Sequence, residues 1–335
     1  MHVGRSYSLK EFIIWTRRRT YKLLLLGTIP VIVYEVIGWK WVSIPWTVVA
    51  LLGTATAFII GFKNTQSYNR TADAHQVWTT IITSSRSWAI MCRDFIADEV
   101  VMRQLINRHI AWLTALRFQL REERIWETTN KRHNVEYGQI YSIPEKHSSM
   151  MAELHKYVSG EELRDIAGKS NIPTQLLSIQ SKKLSDYFKD DPSAMSKYLE
   201  LVKSVKEFYG LQGRAERIKD TPYPRQYAII NTFFVKLFCL LLPYGMLKEF
   251  DALNSIAEGF MNGYMIWLVI PFSIIISWMY TSLEQVGEST ENPFEGGAND
   301  VPISQLSRMI EIEMLEIIEE PDLPEMIGVK NNIAV

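Results

Sequence analysis

Cysteine is nearly absent: the 335 residues hold two, Cys92 and Cys239. Two are too few for a disulfide framework, so both read as free thiols. No Cys/His spacing fits a zinc site. The six histidines are scattered, and His147 and His155 fall on a polar stretch where solvation is the expected state. There is no P-loop, GxGxxG or HExxH pattern and no Gly-x-Ser-x-Gly elbow. An enzyme is therefore not expected. No excess of one charge exists either: 36 Lys and Arg face 37 Asp and Glu, for a formal net charge of -1. In the middle of the chain the two signs alternate, which describes solvated helix faces rather than a nucleic-acid surface. No run alternates with period two, and no fixed-period repeat suggests a solenoid. The basic N-terminus leads into a long apolar segment with no small-residue cleavage site, so no signal peptide is read there.

What the chain does have is long uncharged apolar runs. Residues 44–62 carry no charge over 19 positions, and residues 259–283 none over 25. Each is long enough to cross a hydrocarbon core of roughly 30 Å as a helix. Residues 23–38 are apolar apart from Glu35, and residues 226–247 apart from Lys236. Four transmembrane helices are expected. Charges inside spans are costly without partners, so Glu35 and Lys236 are expected to pair or to reach an interface, ahead of forming an ion site. Six Lys or Arg in residues 1–22, and 25 in residues 63–225, place both termini and the middle segment in the cytoplasm. The expected organisation is an N-terminal arm (1–20), two spans (21–64), a cytoplasmic body (65–225), two spans (226–283) and a C-terminal loop, helix and tail (284–335).

The body reads as helix, and the class as all-α. Ser8 and Glu11 have the spacing of a capping box, with Leu9, Phe12 and Ile13 on one face, so the arm is expected as a short amphipathic helix at the membrane surface. Apolar residues recur at helical spacing over 65–96 and 100–120. Residues 128–149 read as a polar loop. Pro173 suits the first turn of another helix, and residues 192–208 give one more. A last helix covers 303–318, followed by an acidic tail with Glu319, Glu320, Asp322 and Glu325 that reads as mobile.

The second span, "LLGTATAFIIGFKN", carries two stripes. Gly53, Ala57 and Gly61 form a small-residue ridge that permits close helix approach. One position on, Thr54, Phe58 and Phe62 form a second stripe about 100° around the helix. Phe at this spacing also packs against lipid or a neighbouring helix. If several copies met at an axis, the second stripe would instead stack rings of Thr and Phe. A hydrophobic ring can gate a pore by dewetting, and phenyl edges carry positive quadrupole potential, which favours anions.

Four stretches together resemble the bestrophin family, in its bacterial members: "GFKNTQSYNRTADAHQVWTTIITSSRSWA" (61–89), "NIPTQLLSIQSKKL" (171–184), "ERIKDTPYPRQYAIINTFFVKLFCLLLPYGM" (216–246) and "ENPFEGGANDVPISQL" (291–306). Their order and spacing span most of the chain. The resemblance implies a homopentameric channel in a bacterial inner membrane, conducting small inorganic ions, chloride and other monovalent anions first. It implies that the second span lines a narrow neck with rings at Thr54, Phe58 and Phe62, and that a cytoplasmic aperture falls on Tyr223. Thr54 departs from the aliphatic residue usual there, Tyr223 from a smaller apolar one, and Thr71 and Ala72 from an aromatic pair beside the basic Arg70. Cation conduction, secondary transport and a membrane-anchored scaffold are the alternatives. Paired Gly/Pro-broken helices in symmetric halves would mark a transporter, and no such symmetry is evident. The expected partners are further copies of the chain and the lipid bilayer.

In animal members the loop matching "TENPFEGGANDVP" (290–302) holds calcium with an acidic cluster. Calcium takes six to eight oxygens. Here the resemblance leaves only Asn292 and Asp300 as a weak cation loop, with Gly297 at one acidic position and Glu295 displaced. No cofactor or metal is expected, and calcium is doubtful. The loop reads instead as a structural belt: Asn-Pro turns the chain, Gly-Gly permits tight passage, and Asp300 is expected to cap the helix over 303–318.

Overall fold

Ser8 opens the first helix of the computed structural model as the sequence predicts. Its hydroxyl accepts from the Glu11 amide at 3.2 Å, and the Glu11 carboxylate accepts from the Ser8 amide at 2.8 Å. The structure describes residues 1–5, 7–257 and 261–335. Eleven α-helices follow in order among the described residues: α1 (Leu9–Glu35), α2 (Trp46–Phe95), α3 (Glu99–Arg121), α4 (Arg132–Gly138), α5 (Met150–Leu154), α6 (Gly160–Ile166), α7 (Ile172–Phe188), α8 (Met195–Asp220), α9 (Arg225–Ala252), α10 (Val269–Ser289) and α11 (Ile303–Ile317). Among these residues there is no strand, only isolated β-bridges at the chain ends. The all-α class holds.

Two units divide the chain. One comprises Arg5–Asn69 and Tyr223–Glu291; the other Met1–Gly4, Arg70–Pro222 and Asn292–Val335. The first contains α1, the start of α2, α9 and α10. Among the described residues three helical segments are long and apolar enough to cross a membrane: those over Lys40–Phe95, Arg225–Ser255 and Met265–Ser289. The run predicted from Gly259 begins outside the described residues, and its helix α10 starts at Val269. The arm and first span predicted as separate pieces are the single helix α1. Its apolar part between Lys22 and Glu35 is 12 residues, ~18 Å at the helical rise of ~1.5 Å per residue.

Small residues set the helix spacings in this unit. A Cβ on Gly53 would lie 2.7 Å from the Phe238 ring, one on Gly245 2.7 Å from Val49, and one on Gly27 2.8 Å from the Ser273 hydroxyl. Without a hydrophobic force between helices in lipid, such close van der Waals approach is what holds them together. Around these contacts Val31, Val49, Leu242 and Val269 form a buried cluster, continued by Leu23, Ile60, Val235 and Cys239. Glu35 pairs with Lys40 at 3.0 Å, and Lys40 also lies over the Tyr34 ring. Lys236 is exposed on α9, and among the described residues it has no ion pair within the chain.

In the second unit α3 is the buried axis. It packs against α5, α7, α8 and α11, and its Leu105, Ile110, Trp112 and Leu116 lie in one core with Trp78, Trp88 and Phe208. Asp98 caps α3 and Asn171 caps α7; Pro173 stands in the first turn of α7, as predicted. His109 is wholly buried among Trp88, Trp112 and Phe208, and burial holds its imidazole down to about 3. Residues 128–149 are not a plain loop. They include α4 and deliver Glu145 to Arg117 at 3.5 Å and to the Ser304 hydroxyl at 2.7 Å. Nor is the acidic tail loose. Glu320 pairs with Arg103, the Gln305 amide donates to the Ile327 carbonyl, and Ile333 is buried. One of its four carboxylates, Glu320, finds a basic residue on α3, and the rest of the tail is held by the Gln305 contact and the buried Ile333.

Candidate pore-lining site

α2 runs for 50 residues without interruption. No Gly-Pro or Asn-Gly break occurs at the junction where a span and a separate body helix were predicted. Lys63 and Asn64 are accommodated inside the helix instead: Lys63 pairs with Glu291 at 3.1 Å, and the Asn64 amide donates to the Leu283 carbonyl at 3.1 Å.

The two stripes predicted on this helix differ in surroundings. Thr54, Phe58 and Phe62 all point away from the protomer, with Phe58 78% and Phe62 50% exposed. The Thr54 hydroxyl turns back onto the Ala50 carbonyl at 3.0 Å, so its methyl and not its hydroxyl is the unpaired part. Of the small-residue ridge only Gly53 is buried. Ala57 and Gly61 are exposed, and a Cβ on Gly61 meets nothing within 4 Å. The ridge was read as packing surface; within one protomer it serves that role only at Gly53, because Phe238 reaches no further along α2.

Tyr223, predicted at an aperture, is 4% exposed, and its ring lies 6.5 Å from that of Tyr227. Tyr227 is the exposed aromatic, 6.5 Å centroid to centroid from Phe62. Because α9 starts at Arg225, its first turn presents Tyr227 outward and leaves Tyr223 buried. Beside these rings Glu291 is shared by two cations, Lys63 at 3.1 Å and Arg225 at 3.4 Å, with Lys63 and Glu291 both buried. Sequence reasoning missed Lys63, Arg225, Tyr227 and Glu291. The available signal was that Lys63 ends the uncharged run of the second span.

In the other unit the loop from Asn292 onward is built around Asp300. One carboxylate oxygen accepts from the Phe294 amide at 2.8 Å and the Val301 amide at 2.7 Å. The other accepts from the Gly296 amide at 2.7 Å and from Arg121 at 3.0 Å. Asp300 therefore does not cap α11: the residue at that position is Pro302, with no side-chain cap. The loop needs the left-handed conformation at Phe294 (φ 73°) and Gly296 (φ 88°), which turns its amides inward. Asn292 donates weakly toward Glu295 at 3.5 Å. The Glu295 carboxylate accepts from the Thr128 amide at 3.0 Å and hydroxyl at 2.9 Å. Burial raises its pKa to about 8, with Asp300 adding repulsion against the Thr128 hydrogen bonds. Both oxygens of Asp300 are thus committed to protein donors, and Glu295 favours its neutral form at pH 7. Among the described residues no group of three His, Cys, Asp or Glu side chains is placed to hold a metal. Arg70 donates to the Ile218 and Thr221 carbonyls at 3.0 and 2.8 Å, satisfying the end of α8.

A helical chain with three segments, among the described residues, long and apolar enough to cross a membrane has the character of a membrane protein. The family described as Bacterial/Fungal Bestrophin protein matches residues 18–316, and the chain belongs to the bestrophin family. The voltage-dependent anion channel-forming protein YneE of Escherichia coli K12 is 24% identical over 295 residues, covering 88% of this chain and 83% of that protein. The voltage-dependent anion channel-forming protein mll4386 of Mesorhizobium japonicum is 22% identical over 270 residues, covering 81% and 74%. The crystal structure of a bacterial bestrophin homologue from Klebsiella pneumoniae has a TM-score of 0.75 at 22% identity, covering 91% of this chain and 99% of that one. Its likeness establishes the fold. The YneE and mll4386 relatives are named as anion channel-forming proteins.

Proposed function

We propose that the chain assembles as a homopentamer around one axis and passively conducts small monovalent anions, chloride foremost. Four membrane-crossing helices per subunit, α1 included, would stand in a bacterial inner membrane with both termini cytoplasmic. The observation that carries this reading is the exposed stripe Thr54, Phe58 and Phe62 on α2, continued by exposed Leu51. Large aromatic side chains exposed along one line, beside exposed Ala57 and Gly61, describe a surface that meets further copies of itself. Rings of phenyl edges then favour anions and close the path by dewetting when narrow. The anion channel relatives point the same way. Five Lys or Arg along the first part of α1, from Lys10 to Lys22, support the orientation.

The loop around Asp300 acts as a structural clasp in this reading, and calcium is not required. Asn292 and Asp300 would supply few free oxygens, against the six to eight that calcium takes. The Phe62–Tyr227 pair, with Tyr223 beneath, would form the inner end of the neck in place of a separate Tyr223 ring. Purified protein in lipid vesicles under a salt gradient tests the proposal: an anion-dominated reversal potential supports it. A cation-dominated one selects the cation-conducting alternative, and a solubilised monomer sinks the pore.

A further inference from the structure

Five residues next to the proposed neck close a circuit. Phe62 is followed in the chain by Lys63. The Lys63 ammonium lies 3.1 Å from one oxygen of Glu291, and the Arg225 guanidinium 3.4 Å from the other. Arg225 begins α9, and one half-turn on, Tyr227 lays its ring against Phe62 at 6.5 Å. The circuit therefore runs Phe62, Lys63, Glu291, Arg225, Tyr227 and back to Phe62.

The energetics of its central link are unusual for a surface ion pair. The Lys63 and Glu291 side chains are 5% and 4% exposed. Taking two ions out of water is costly, and close geometry only roughly offsets that cost. A well-packed apolar pair of the same volume would serve stability as well or better. What the ionic pair provides instead is a fixed register: the ammonium and carboxylate tolerate little sliding of α2 past the end of α10, since separation leaves a bare buried charge. Next to it the Asn64 amide holds the Leu283 carbonyl, and Gly287 leaves room for that side chain. The α2 segment carrying Phe62 is thus pinned at two successive residues.

We propose that Lys63 and Glu291 are positioning residues for the innermost neck ring. Through Arg225 and Tyr227 they hold the Phe62 side chain at a set angle, and so set the width through which ions pass. The proposal rests on the pore reading above. It assigns to this ion pair a role in discriminating permeant ions by size, with no contact between the pair and the ion.

The test uses the full-length assembled protein in lipid vesicles. Lys63→Met is expected to change the iodide-to-chloride permeability ratio several-fold, with the oligomer intact by native mass. Lys63→Arg is expected to restore the wild-type ratio. Lys63→Met and Phe62→Ala together are expected to give no more than the larger single effect, because both act on the same ring. Unchanged permeability in Lys63→Met, or independent addition to Phe62→Ala, overturns the proposal. If Lys63→Met does not assemble, Glu291→Asp, which shortens the carboxylate arm, is read the same way. Hydrogen exchange gives an answer independent of conduction: Lys63→Met should raise exchange over residues 58–65 and 223–231 and not over α3. That rise in a protein that passes no current would uphold the positioning role while refuting the pore. Its absence would refute the positioning role.

Discussion

Arg121 and Asp300, 179 positions apart in sequence, form a buried ion pair at 3.0 Å, and the same carboxylate accepts three backbone amides of its own loop. One side chain thus joins α3 to the loop that precedes α11.

Removing the Asp300 carboxylate leaves buried Arg121 with only the more distant Glu145 carboxylate, at 3.9 Å, and leaves three amides unpaired. Asp300→Ala should lower the unfolding free energy by about 3–5 kcal/mol, the range for breaking a buried pair from one side. Thermal unfolding in detergent measures this. Added calcium should not raise the wild-type melting temperature, because both carboxylate oxygens are committed to protein donors.

Glu295 gives a pH signature. Its folded-state pKa, about 8, lies above the ordinary carboxylate value of 4.5. The folded protein therefore binds the proton more tightly than the unfolded chain. The stability this contributes is complete below about pH 4.5 and is lost as pH rises through 8. Glu295→Gln should unfold at nearly the wild-type temperature at pH 5 and gain steadily on wild type up to about pH 8.5. Melting curves across that range check it, and a constant difference would contradict it.

Phe58 is the most exposed aromatic on the α2 stripe. Phe58→Ala removes a ring that touches little within the protomer, so the stability of the isolated subunit should change by less than about 1 kcal/mol. Single-channel or vesicle-flux measurements should show conductance raised severalfold. Unaltered conductance would place the stripe against lipid.

Gly53 and Gly61 separate packing within a subunit from packing between subunits. Gly53→Ala would drive its methyl into the Phe238 ring, and overpacking of this kind costs about 1–3 kcal/mol. Gly61→Leu meets open space within the protomer. Its expected effect is on assembly, read as a fall in the pentamer fraction by native mass spectrometry. Subunit stability should be unchanged.

The apolar runs and helical spacings were legible because they report local physics. An uncharged run of 19 residues, Ser8 with Glu11, and Pro173 in a first turn each specify their own helix, and each helix is present. The stripe Thr54, Phe58 and Phe62 was legible for the same reason, since a helix of 3.6 residues per turn brings every fourth residue to one face. The errors lie where distant residues supply the missing partner. The α2 segment continues through Lys63 because Glu291, far along the chain, pairs with it. The tail after α11 is ordered because Arg103 and Gln305 hold it. Asp300 had the composition of a helix cap, but amides of a left-handed turn reached it first.

By itself the sequence determined the all-helical class, the apolar segments and the face of α2 that carries its aromatic rings. These follow from periodicity and from the cost of leaving backbone or charge unsatisfied in hydrocarbon. Only the tertiary structure decided which of those rings stay exposed, that Tyr227 and not Tyr223 stands beside Phe62, and that two basic residues share Glu291 behind it. Those outcomes depend on contacts between distant segments, 66 positions apart for Arg225 and Glu291 and far more for Lys63 and Glu291, and no local rule encodes which distant partner arrives.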